Sequence, residues 1–108
     1  MAVTVQQSGT QLASIGNEVT VVGMTAANNY VFVVNATVLA NGDVVEFRVK
    51  TQVASMIGEA YVGAYAHVQA TPIVVSIPVP VAANQAIQAT IKQTAGTARS
   101  FPWELKSL

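Results

Sequence analysis

The chain has 108 residues, of which 52% are hydrophobic and only 9% charged, with five basic against five acidic side chains and no cysteine. A charged share this far below the usual quarter or so leaves a surface of Gln, Asn, Thr, Ser and Ala with apolar side chains showing between them. With no basic excess and no basic run, the chain is a poor candidate for a phosphate-neutralising nucleic-acid binder. The absence of cysteine removes disulfide frameworks, thiolate nucleophiles and zinc–thiolate centres together.

One domain is expected from the length. No stretch approaches the roughly 20 consecutive apolar residues of a membrane span. The opening "MAVTVQQSGT" also lacks the charged and apolar regions of a signal peptide, so manufacture in the cytoplasm is the simplest expectation.

From the N-terminus, residues 1–14 read as an extended polar arm, with Val3 and Val5 as apolar points that could pair with a neighbouring subunit. Residues 15–108 then form a single domain. "EVTVVG" is a short strand, and "YVFVVNATVL" a strand with both faces partly covered. After the "ANGD" turn, "DVVEFRVKTQV" sets Val45, Phe47, Val49, Thr51 and Val53 on one face against Val44, Glu46, Arg48, Lys50 and Gln52 on the other.

The next candidate turn is "MIG" at 56–58. In "EAYVGAYAHVQ" small side chains (Ala60, Val62, Ala64, Ala66, Val68) alternate with Tyr61, Gly63, Tyr65, His67 and Gln69, so a bulky neighbour is expected against the small face. "PIVVSIPV" places Ile73, Val75, Ile77 and Val79 on a single side, and Pro78 and Pro80 send its end to a sheet edge. "IQATIKQT" turns Ile87, Ala89 and Ile91 inward. Finally "TAGTARS" reads as a flexible connection into "FPWELKSL", where Phe101 and Trp103 share a face, joined by Leu105.

Period-two alternation with turns at this spacing predicts an all-β protein, an antiparallel β-sandwich of jelly-roll type with about six to eight strands. Chemistry is thinly supplied. His67 is the sole histidine, so a two-histidine metal site is impossible, and the five carboxylates do not cluster. Asp43 reads as a turn residue, and Glu46, Arg48 and Lys50 as a solvated charged face. We expect no catalytic residue, no cofactor and no metal. The candidate residues are interfacial: Val3, Val5, Tyr61, Tyr65, Phe101, Trp103 and Leu105. For Phe101 and Trp103 the competing role is a pair of core plugs closing the sandwich.

A resemblance sharpens this. Tyr30, Phe32 and Val34, then Gly42, Asp43, Val44, Glu46, Arg48 and Val49, then Lys92, Gln93, Thr94, Gly96, Thr97, Arg99, Phe101, Pro102 and Trp103 match the pattern of a family of small virion proteins of tailed bacteriophages. The likeness spans roughly residues 28 to 108, and the chain is richer in Ala and Val than that pattern between 54 and 90. The charge-poor β profile is also similar to that of jelly-roll cement (decoration) proteins. The resemblance implies a structural protein on the outer capsid surface, clamping neighbouring major capsid protein subunits and acting as a homodimer or homotrimer, without nucleic-acid or membrane partners. A tail or baseplate component is the alternative within the virion. A carbohydrate-binding module for host attachment, using Tyr61, Tyr65 and Trp103, is a third reading.

Overall fold

The protein is described by a computed structural model covering residues 3–66 and 73–107. Nine strands account for it: β1 (Thr4–Leu12), β2 (Glu18–Met24), β3 (Asn28–Asn35), β4 (Val44–Val53), β5 (Met56–Ala66), β6 (Ile73–Val75), β7 (Val79–Val81), β8 (Ile87–Ala95) and β9 (Ser100–Ser107). His67 lies outside the described residues.

The strands form two antiparallel sheets. Sheet one runs β1-β9-β3-β6, with β7 also paired to β3, and sheet two runs β2-β8-β4-β5. β6 and β7 are two halves of one strand position. Taken so, the chain crosses between sheets after almost every strand, staying in one sheet only through the β4–β5 hairpin. That strand order is a jelly roll, eight strand positions in two packed sheets.

Alternation explains which residues lie between the sheets. Tyr30, Phe32 and Val34 of β3, Val45, Phe47 and Val49 of β4, Ile87, Ala89 and Ile91 of β8, and Phe101 and Leu105 of β9 are buried. Phe101 packs edge-on against Phe47 across the sandwich, with ring centroids 5.7 Å apart. β9 lies between β1 and β3, so the last strand of the chain is a central strand of its sheet.

Two segments depart from the expected pattern. Residues 4–12, read as an arm, run along β9 of the same chain, where Gly9 sits opposite Trp103. A Cβ on Gly9 would meet the indole at 3.4 Å, an ordinary contact distance, so the ring packs directly against this stretch of β1. The second departure is a change of phase in "IVVSIPV". Ile73, Val75 and Ile77 point outward while Val79 and Val81 are buried, so Ile77 and Val79 do not share a side.

Ser76 makes that change of phase possible. Its backbone N–H donates to Phe32 O at 2.9 Å, and its Oγ accepts the Phe32 N–H, also at 2.9 Å. A side chain therefore replaces the missing backbone acceptor where β6 leaves β3 and β7 begins. Replacing Ser76 with Ala would leave the buried Phe32 N–H without an acceptor, at a cost of about 1–3 kcal/mol. In urea unfolding the midpoint of Ser76→Ala is expected to fall with an unchanged slope.

Candidate interaction surface

The outer face of sheet two carries most of the charge. Arg48 Nη2 lies 2.7 Å from Glu46 Oε1, Arg48 Nε 3.3 Å from Glu59 Oε1, and Lys50 Nζ 2.7 Å from Glu18 Oε2. Glu18 reaches over the small Thr90 of β8, and its contact with Lys50, then with Thr90, holds its pKa below the ordinary carboxylate value against the opposing effect of burial. These charges neutralise one another within the face. Partly exposed pairs of this kind add little stability.

β5 borders that face and differs from it. Val49 pairs with Tyr61, Phe47 with Gly63 and Val45 with Tyr65, so the tyrosines turn to the inner side. Their hydroxyls hydrogen-bond to each other above Gly63. A Cβ at Gly63 would sit 2.6 and 2.7 Å from those two oxygens, so only glycine fits beneath the pair. Burial first, then the bond to Tyr61, pushes the Tyr65 phenol up to about 12 from 10.0. A raised pKa favours the neutral form in the folded state. The contribution is complete below about pH 10 and lost as pH rises through about 12. Tyrosinate absorbance is expected to show the Tyr65 phenol titrating near 12, a step absent in Tyr65→Phe, while the Tyr30 phenol, raised by its burial, remains.

The small residues of β5 face outward. Ala60, Val62, Ala64 and Ala66 are exposed, with Val62 at 49%. The bulky neighbour expected against them is not supplied by any described part of this chain. The hairpin ends in a tight turn at Ala54 and Ser55, with Ala54 at φ 54°, two residues earlier than the "MIG" turn expected from sequence. Met56 and Ile57 therefore belong to β5, and the tip is apolar: Val53 is 73% and Met56 76% exposed. In the other sheet, β6 and its exit expose Ile73, Val75 and Ile77.

The sequence accounts for this concentration, because no Asp, Glu, Lys or Arg occurs anywhere from residue 60 to residue 91. That charge-free run was the available signal for the surface, and alternation by itself did not reveal which of its faces is outward.

At one end of the sandwich is a polar knot. Asp43 is buried, its Oδ2 accepting from the Ala40 N–H at 2.8 Å and from Arg99 Nε at 2.7 Å, its Oδ1 from the Thr97 N–H at 3.0 Å. These bonds, the Ala40 N–H foremost, depress its pKa from 3.8 to about 2. Gln93, also buried, donates to Ala95 O and Thr97 O and accepts from the Arg99 N–H at 3.1 Å. Its backbone oxygen takes the Gly16 N–H, while Ala13 N–H donates to Arg99 O. The "TAGTARS" segment is thus tied on both sides, not a loose connection, and Asp43 does more than turn the chain.

Sheet one presents a shallow groove of about 490 Å³ on its outer face, lined by Ser8, Thr10, Val33, Asn35, Glu104 and Lys106 among others. Glu104 and Lys106 pair at 3.3 Å. Asn35 ends β3 by accepting from the N–H and hydroxyl of Thr37.

Of the residues singled out from sequence, Phe101 and Leu105 have no exposed surface and Trp103 only 8%. They are the core plugs of the alternative reading, and inside a folded chain they present nothing to a partner. Val3 and Val5 remain exposed at the β1 border of sheet one, and Tyr61 and Tyr65 are half-buried under β5. The structure does not bring these four residues into one patch: the arm residues and the tyrosines lie on opposite borders of the sandwich. Among the described residues no group of three His, Cys, Asp or Glu side chains is arranged to hold a metal ion. No described helix is long and apolar enough to cross a membrane.

Comparison with protein-family models, curated proteins and solved structures finds no match.

Proposed function

We propose that this chain is a structural protein of a tailed-phage virion, a cement protein that binds the outer capsid surface and stabilises the head. The observation that carries the reading is the charge-free run from residue 60 to residue 91, which leaves Val62 exposed on sheet two and Ile73, Val75 and Ile77 exposed at the β6 border of sheet one. A repetitive shell multiplies a modest contact many times, so a broad neutral footprint serves where a deep pocket would not. The resemblance in "GDVVEFRV" and "KQTAGTARSFPW" supports a phage origin, and the self-neutralised charges of sheet two keep the surface free of a strong field.

Placement in the tail or baseplate uses the same surface properties and differs only in the partner. Sugar binding by stacked aromatics has less support, since Trp103 lies inside and the Tyr61 and Tyr65 hydroxyls are bonded to each other. Phage particles assembled without the protein should lose infectivity faster on heating and osmotic shock than complete particles, and regain resistance when purified protein is added. Equal resistance with and without it would overturn the cement role.

A further inference from the structure

We infer that the outer edge of β5 is a self-association surface, on which a second copy of this chain pairs antiparallel and joins the two four-stranded sheets into one eight-stranded sheet about a two-fold axis. The inference rests on the edge itself and not on the virion reading.

An edge strand is a row of unpaired N–H and C=O groups, and proteins ordinarily blunt such rows with bulges, prolines, charge or short length. β1, β2 and β5 each carry one register shift, the β6/β7 border is the most strongly blunted, and β5 is the longest edge. β1 carries a register shift between Val5 and Gln7, and β2 one between Thr20 and Val22. β6 and β7 are three residues each, with Pro78 between them and Pro80 in β7. β5 is eleven residues long, has no proline and holds a single charge, Glu59. Its extra residue at Ala60 leaves Tyr61 to Ala66 in regular register with β4.

The occupant that fits is another β5. A two-fold axis sets each residue near its own copy, so a strand with several charges would repel itself, and this one does not. With the axis near Val62, the two Glu59 carboxylates stand roughly 20 Å apart along the strands, beyond the screening length of about 8–10 Å, and each already faces its own Arg48. Small outward side chains let the strands approach without steric conflict, and Val62 meets its own copy.

With the axis at Val62 the nine residues 58–66 pair between copies, about 30 Å of edge, and a strip one sheet spacing deep removes about 600 Å² from the two copies together. The apolar tip residues Val53, Met56 and Ile57 at the ends of that strip raise the total toward the ~1,000 Å² of a specific interface.

Sedimentation of the purified chain over a wide concentration range, with hydrogen exchange followed along residues 56–66, tests this. Expected are a species of twice the 11.2 kDa mass and slower exchange of β5 amides as it forms. Val62→Glu faces Arg48 within its own sheet, so the fold accommodates it, but sets two carboxylates together across the axis. It should weaken dimerisation at least about tenfold, and mixing it with Val62→Lys should restore a heterodimer. Thr10→Lys, on the β1 border, should change nothing. A chain that stays monomeric, a three-fold species, or a dimer indifferent to Val62→Glu or leaving β5 exchange unchanged would each overturn the inference.

Discussion

Phe101→Ala is expected to lose about 3–5 kcal/mol of folding stability, a large share of the 5–15 kcal/mol that holds a domain of this size. Phe101 has no exposed surface and lies on the central strand of sheet one, its ring edge-on to Phe47 of sheet two. Truncation leaves a cavity between the sheets that neither can close without pulling β9 away from β1 and β3. Val53→Ala, at the exposed hairpin tip, should change stability by no more than about 0.5 kcal/mol. Chemical denaturation of both variants checks the core role of Phe101. A core plug lowers the unfolding midpoint of the isolated chain, whereas a subunit anchor would spare it and weaken assembly instead.

Asp43→Asn should lower the melting temperature at neutral pH by on the order of 10 °C, because one substitution weakens three contacts at once. The amide keeps the shape of the carboxylate but cannot accept at both oxygens, so either the Thr97 N–H or the Ala40 N–H and Arg99 lose their partner. The loop from Ala95 to Arg99 then depends mainly on Gln93 and on the Ala13 N–H bonded to Arg99 O. Gly96 shows how close the packing is: at φ +89° it lies where a Cβ would fall 2.0 Å from Asp43 Oδ1, so Gly96→Ala should produce a loss of the same kind.

The acid limb separates this account from a generic loss of packing. The carboxyl titrates near 3.8 when unfolded and at about 2 when folded, so the unfolded chain binds the proton more readily. Its stabilisation is complete above about pH 4 and disappears as pH falls through about 2. Thermal melts should show the wild type and Asp43→Asn far apart at pH 7 and converging toward pH 2. A constant difference at all pH values would place the effect of the substitution elsewhere.

What could be read from sequence follows from how local each signal is. Alternation in "DVVEFRVKTQV" and "IQATIKQT" named the buried faces of β4 and β8, and Pro78 with Pro80 placed β7 at a border, because a strand's period and a missing N–H are local facts. The polar knot is not local. Asp43 and Arg99 are 56 positions apart, and nothing in "ANGD" or "TAGTARS" alone says that one holds the other.

The phase change at Ser76 was hidden because a hydroxyl replaces a backbone acceptor only once β3 lies beside it. In β5 the sequence separates tyrosines from small residues but cannot say which set faces the core. The aromatics turn inward because Phe47 on the neighbouring strand offers a ring to pack on, 5.6 Å from that of Tyr65. The motif residues Gln93, Gly96, Thr97 and Arg99, on which the phage resemblance rests, build the knot that fixes the end of the sandwich. They shape the fold, while the proposed binding surface belongs to the charge-free stretch from residue 60 to residue 91.

On the proposed reading, the apolar surface left by the charge-free stretch binds a phage head. Co-sedimentation of the purified chain with empty heads that lack it, beside purified tails, tests it most directly. Saturable binding to heads at a fixed ratio to the major capsid protein, lost on placing charge at Val75 or Ile77, is the expected result. Binding to tails alone, or to neither particle, would contradict it.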